Sequence, residues 1–100
     1  MKLVYTEQAI ASLQECLDFL PHEEVSPEKI KEIRDRILSK ADMLLNNPFI
    51  GQEEEYLLHV GLSHRRIIEG NYKIIYRVED QFIFITDIFD SRQDPDKMKG

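Results

Sequence analysis

His64, Arg65, Arg66, Lys73 and Arg77 crowd into one short stretch of an otherwise acidic chain: Ser63-His64-Arg65-Arg66-Ile67-Ile68-Glu69, then Gly70-Asn71, then Tyr72-Lys73-Ile74-Ile75-Tyr76-Arg77-Val78. Arg92 follows in the tail Asp90-Ser91-Arg92-Gln93-Asp94-Pro95. Guanidinium and ammonium groups gathered on one small sheet hold negative charge, so the contacts within reach are a nucleic-acid phosphate or an acidic protein surface. Adjacent strand residues face opposite sides, so only one of Arg65 and Arg66 can join a common site. The other is expected in solvent or paired with Glu69 or Asp87. Lys73 and Arg77 share a face and make the better pair. Arg92 lies among Asp90, Asp94 and Asp96, which suits a salt bridge that holds the tail.

Other chemistries find little support. His22, His59 and His64 stand in different segments without metal-ligand spacing and are read as surface histidines, and Cys16 is alone, so neither a metal nor a cofactor is expected. There is no phosphate-binding glycine loop and no serine nucleophile motif. Tyr72 and Tyr76 are read as core aromatics with hydroxyls reaching the rim. The run Glu53-Glu54-Glu55 reads as a solvated acidic loop able to steer a basic partner.

One hundred residues with 42% hydrophobic content allow a single domain, 1–100, with a modest core. The net charge of −6 is uneven: residues 7–55 carry twelve acids and five bases, residues 56–100 seven of each. That balance argues against DNA binding by the chain alone through a broad positive field. The lone Cys16, the absence of a signal-peptide run and the lack of any span-length apolar stretch imply a soluble chain in the cytoplasm, with no membrane contact.

Positioning these groups requires a scaffold that the apolar spacing outlines. Residues 2–5 read as a strand. Thr6 caps a helix with Ala9, Ile10, Leu13, Leu17 and Leu20 on its apolar face, ended by Pro21. Ser26-Pro27 opens a second helix with Ile30, Ile33, Ile37, Ala41 and Leu44 or Leu45, stopped by Asn46-Asn47-Pro48. Its mixed charges, Lys29, Lys31, Arg34, Arg36 and Lys40 among Glu28, Glu32, Asp35 and Asp42, suit a solvated face better than a DNA groove. Residues 49–62 carry no clear element, although Tyr56-Leu57-Leu58 could cover a core edge. Gly70-Asn71 and Glu79-Asp80-Gln81 signal two hairpin turns. Alternation puts Tyr72, Ile74, Tyr76 and Val78 on the core face, leaving Lys73, Ile75 and Arg77 as a working surface, and Phe82-Ile83-Phe84-Ile85 reads as a central strand. The expected class is α+β: an antiparallel two-helix hairpin on a small, mainly antiparallel sheet, in the order β-α-α-β-β-β.

Taken together, Tyr5 with the Ala9-containing helix, Asn47-Pro48 with Gly51, the Arg65-Arg66 strand, the run Asn71 to Val78 and Phe89-Asp90-Ser91-Arg92-Gln93-Asp94-Pro95 resemble the RelE/ParE toxins of bacterial type II toxin–antitoxin pairs, in their ParE-like branch. The resemblance implies a toxin neutralised by a cognate antitoxin whose tail wraps the helical hairpin and sheet. ParE-type members bind DNA gyrase and trap its cleaved complex without chemistry of their own, with Arg65, Arg66, Lys73, Arg77 and Arg92 as the target contacts here. RelE-type members are ribosome-dependent messenger-RNA endonucleases; on that pattern His64, Arg66, Lys73 and Arg92 would be the catalytic set. Such enzymes place a tyrosine or histidine proton carrier after the late arginine, and Ser91 to Gly100 contains neither, which argues against the nuclease. A third reading keeps the fold and the antitoxin contact without toxicity.

Overall fold

The computed structural model describes all residues from Met1 to Gly100. Strand β1 (Lys2–Tyr5) leads into α1 (Glu7–Asp18), and α2 (Pro27–Asp42) follows. Thr6 Oγ1 accepts a hydrogen bond from Ala9 N at 3.1 Å and Ser26 Oγ one from Lys29 N at 3.1 Å, so both helices begin on the caps their sequence supplies. Strands β2 (Gln52–Glu53), β3 (Arg65–Glu69), β4 (Tyr72–Glu79) and β5 (Phe82–Asp90) complete the fold. The sheet order is β1-β5-β4-β3-β2, with β1 parallel to β5 and every other pair antiparallel. This is the expected α+β architecture with one added element, the two-residue β2, which the sequence left unassigned because Gln52-Glu53 carries no strand signal.

The helices lie on one face of the sheet, α1 mainly against β5 and α2 against β3 and β4, and touch each other only lightly. Ala9, Cys16, Ile37, Ala41 and Leu44 meet Tyr72, Ile74, Tyr76, Ile83 and Ile85 in the main core. Each large aliphatic group there contributes about 1.5–3 kcal/mol relative to exposure. Ile10, placed by its spacing on the apolar face of α1, is instead exposed. It falls at the margin of a stripe already filled by Ala9, Leu13 and Cys16. No helix is long and apolar enough to cross a membrane.

Two departures matter for the site. A bulge shifts the β4–β5 register between Ile75 and Tyr76. The face of β4 turned away from the helices is not bare, because Ile75 is fully buried in a second small core with Leu57, Phe89 and Met98. A short 3-10 helix (Glu55–Val60) and the tail provide that cover.

Gly51 locks the loop between α2 and β3 onto the sheet. Its N–H donates to Tyr76 Oη at 2.9 Å, so this buried hydroxyl ends in the core rather than at the rim. A Cβ at Gly51 would lie 2.6 Å from that oxygen and 2.7 Å from Arg66 O, a backbone atom that cannot step aside. Gly51→Ala is expected to lower the unfolding free energy by about 1–3 kcal/mol, seen as a lower urea midpoint at unchanged m-value. An unchanged midpoint would mean that the loop is not pinned there.

Candidate functional site

The surface where cations were expected to gather is organised around one acid. Glu54, read from sequence as part of a solvated loop, is completely buried. Its Oε2 accepts from Tyr56 N at 3.0 Å and caps the 3-10 helix, while Oε1 takes Lys73 Nζ at 3.1 Å and faces Arg66 Nη1 at 3.8 Å. Lys73 also lies over the Tyr56 ring, 5.4 Å from its centre. A run of three glutamates conceals which one turns inward; pairing of β2 with β3 fixes it, since Glu53 opposes Arg65 and the next residue leaves the strand under the sheet face.

The remaining cations also have internal partners. Arg65 and Arg66 diverge as strand geometry requires, with Arg65 opposite the core residue Tyr76 and Arg66 opposite Ile75. Neither pairs with Glu69 or Asp87, the acids expected from sequence. Arg65 donates to Gly51 O at 2.6 Å and lies over the Phe49 ring, and Arg66 donates to Glu53 O at 2.6 Å and Gln52 Oε1 at 3.0 Å. Arg77 pairs with Glu79 and stacks on Phe84, 4.7 Å from the ring centre. Arg92 makes two parallel bonds to Asp90, Nε to Oδ1 at 2.9 Å and Nη2 to Oδ2 at 2.7 Å, the tail-holding bridge its neighbours suggested. The Arg92 guanidinium holds the Asp90 carboxyl below its usual range.

The residues that the RelE-type pattern would make catalytic are therefore not brought together as one site. Arg92 faces a depression of about 200 Å³ beside Lys29, Arg36 and the Gly70-Asn71 turn, on the helix side of the sheet, whereas Lys73 and Arg66 meet Glu54 on the other face. No group of three or more histidine, cysteine or carboxylate side chains is placed to hold a metal ion. Cys16 is buried, its thiol pushed up to about 11, chiefly by burial and then by Asp90 and Asp87, so it stays protonated at neutral pH.

His64 overturns its reading as a surface histidine. It is 2% exposed, and neither ring nitrogen has a hydrogen-bond partner. The chain turns through Gly61 (φ 76°) and Ser63 (φ 56°) just before it, delivering the imidazole beneath Gly100, which packs against the ring. Burial, then the nearby Arg77 charge, lowers its pKa, so the folded state holds it neutral. Below the unfolded pKa of about 6.5 the unfolded chain takes up a proton that the folded chain refuses, and stability falls with pH. His64→Leu removes two stranded polar atoms and is expected to raise the unfolding free energy by about 1 kcal/mol at pH 7, with a larger gain at pH 5.5. Paired urea melts at the two pH values check it; equal or lower stability in the variant contradicts it.

Sequence reasoning missed an open apolar groove. Where α2 ends, Met43, Ile50, Ile67 and Ile68 line a groove of about 490 Å³ with Lys40 and Arg66 at its rim. Met43, Ile50 and Ile68 are each about half exposed. The groove runs beside an unpaired edge, because β2 covers only Arg65 and Arg66 and leaves Ile67 to Glu69 of β3 without a neighbour on that side. Unpaired N–H and C=O groups beside exposed isoleucines form a template for an added strand. The only sequence signal was the pair Ile67-Ile68, one of which must face away from the core.

The structure is similar to that of a chain of the chromosomal ParDE toxin–antitoxin system of P. aeruginosa, with a TM-score of 0.72 and 24% identity over 88% of this chain and 92% of that one. A search of curated proteins finds no match. The family model for the ParE toxin of type II toxin–antitoxin systems, parDE, matches residues 3–95, so the chain belongs to the ParE toxin family.

Proposed function

We propose that this protein is a toxin that acts by binding a bacterial target, DNA gyrase, and is neutralised by a cognate antitoxin whose tail fills the groove beside β3. The observation that carries the proposal is the pairing of an apolar groove with an open strand edge, Ile67–Glu69, on a family member whose cations already have partners. Inhibition by binding needs surface complementarity and no proton carrier, whereas RNA cleavage needs convergent cations and an acid–base pair. Lys40 and Arg66 at the groove rim favour a tail that mixes apolar anchors with acids.

For the target, Arg77 and Arg92 are the proposed direct contacts. Arg77 pairs with the exposed Glu79, a kind of bridge worth under about 1 kcal/mol and readily exchanged for an acid on another protein. The outer side of the Arg92 guanidinium stays open to solvent. Arg65, Arg66 and Lys73 instead shape the surface by holding the loop from Phe49 to Glu54.

The internal pairing of these cations also favours a second reading, a fold that retains antitoxin contact without toxicity. Induced expression without the neighbouring gene separates the two. Growth arrest that co-expression of the neighbouring gene reverses is the expected result; unimpeded growth with folded protein present would leave only the second reading.

A further inference from the structure

After β5 the chain doubles back over the sheet face that the helices leave free. Lys99 N donates to Asp87 Oδ2 on β5 at 3.0 Å, Met98 packs on Ile75 of β4, and Gly100 lies against the His64 ring at the start of β3. Residues 98–100 thus cross three strands, yet little attaches them. The other hydrogen bonds of the segment are local, with Asp96 N and Lys97 N reaching only Asp94 and Met98 N only Pro95 O. Beside it lies an open cavity of about 330 Å³ against Ser12, Glu15 and Cys16 of α1, so one flank of the segment is unsupported. Closing it strands both nitrogens of His64 without partners, a penalty that water relieves as soon as the segment lifts.

We propose that Asp94–Gly100 is a reversible strap, held by the Met98 plug and the Lys99–Asp87 bond, whose opening uncovers a face where His64 stands next to Arg77, beside Ile75 and Phe89. A segment with one long-range hydrogen bond and one buried side chain opens at far lower free energy than the ladder beneath it. The strap lies on a different face from the groove beside β3, so occupation of the groove leaves it free to open. Opening of the strap is a motion of the fold itself and does not depend on whether the protein poisons gyrase.

Diethyl pyrocarbonate at pH 7, which acylates accessible imidazoles, reads the strap directly on the full chain, with the exposed His22 and His59 as internal standards. In the unaltered protein His64 is expected to react at least tenfold more slowly than either standard. Met98→Ser, which removes the plug without adding charge, raises the His64 rate at least tenfold and leaves the standards unchanged, while Met98→Leu preserves protection. Amide exchange guards against general unfolding: Lys99 exchanges at least a hundredfold faster than the β4 amides in the unaltered protein. The proposal is overturned if Met98→Ser leaves the His64 rate unchanged. It also fails if Lys99 and β4 exchange together, which would make the tail part of the global folding unit.

Discussion

Glu54→Gln is expected to lower the unfolding free energy by about 2–3 kcal/mol, the largest effect of any single conservative change outside the main core. Breaking a buried ion pair by neutralising one partner costs about 3–5 kcal/mol because the other charge is stranded. Here the stranded groups, Lys73 and Arg66, are 18% and 20% exposed, so water recovers part of that cost. Glutamine keeps an acceptor for Tyr56 N, which isolates the charge from the cap. Glu55→Gln, one residue on and exposed, should stay within about 0.5 kcal/mol of the unaltered protein. A double variant with Lys73→Met should recover much of the loss, since removing both partners of a buried pair is far milder than removing one. Urea melts of the unaltered protein, Glu54→Gln, Lys73→Met and the double variant form the cycle, with Glu55→Gln as the control. A Glu54→Gln midpoint equal to that of Glu55→Gln would show that the clasp contributes nothing.

The second large effect concerns the groove. Ile68→Asp, and separately Ile50→Asp, should weaken binding of the proposed cognate antitoxin at least thirtyfold, because a carboxylate placed among apolar anchors loses about 2–4 kcal/mol, the scale of an interface hot spot. Both isoleucines are more than half exposed or close to it, so the folded state should keep its stability within about 0.5 kcal/mol. Phe19→Asp, at an exposed site beyond the end of α1, serves as the control and should change affinity less than threefold. Calorimetric titration measures all three. If Ile68→Asp binds as tightly as the unaltered protein, the open edge of β3 is not where the partner docks.

The helical caps, the alternation of Tyr72, Ile74 and Tyr76, and the two hairpin turns were legible in the sequence because each rests on local chemistry: a hydroxyl before a helix, a period of two, a glycine at positive φ. What the sequence concealed is all long-range. Glu54 is one of three consecutive glutamates, and only the pairing of β2 with β3 decides which is buried. His64 resembles any polar residue at a loop end until Gly61 and Ser63 turn it beneath the tail. The cations looked convergent because His64 to Arg77 lie close in sequence, but strand alternation separated Arg65 from Arg66, and the loop from Phe49 to Glu54 supplied acceptors before any ligand could. Arg92, grouped with Lys73 by family resemblance, lies on the helix side of the sheet because the chain leaves β5 at Asp90 beside Tyr72.

Inhibition by binding, without chemistry of the toxin's own, is tested most directly by giving the purified protein two substrates side by side: gyrase with supercoiled plasmid and ATP, and translating ribosomes with a defined message. A binding toxin leaves the message intact and accumulates linear plasmid once detergent and protease release the trapped gyrase. Cleaved message with no linear plasmid would contradict the account, and would require the separated cations to converge in a form of the protein that this fold does not display.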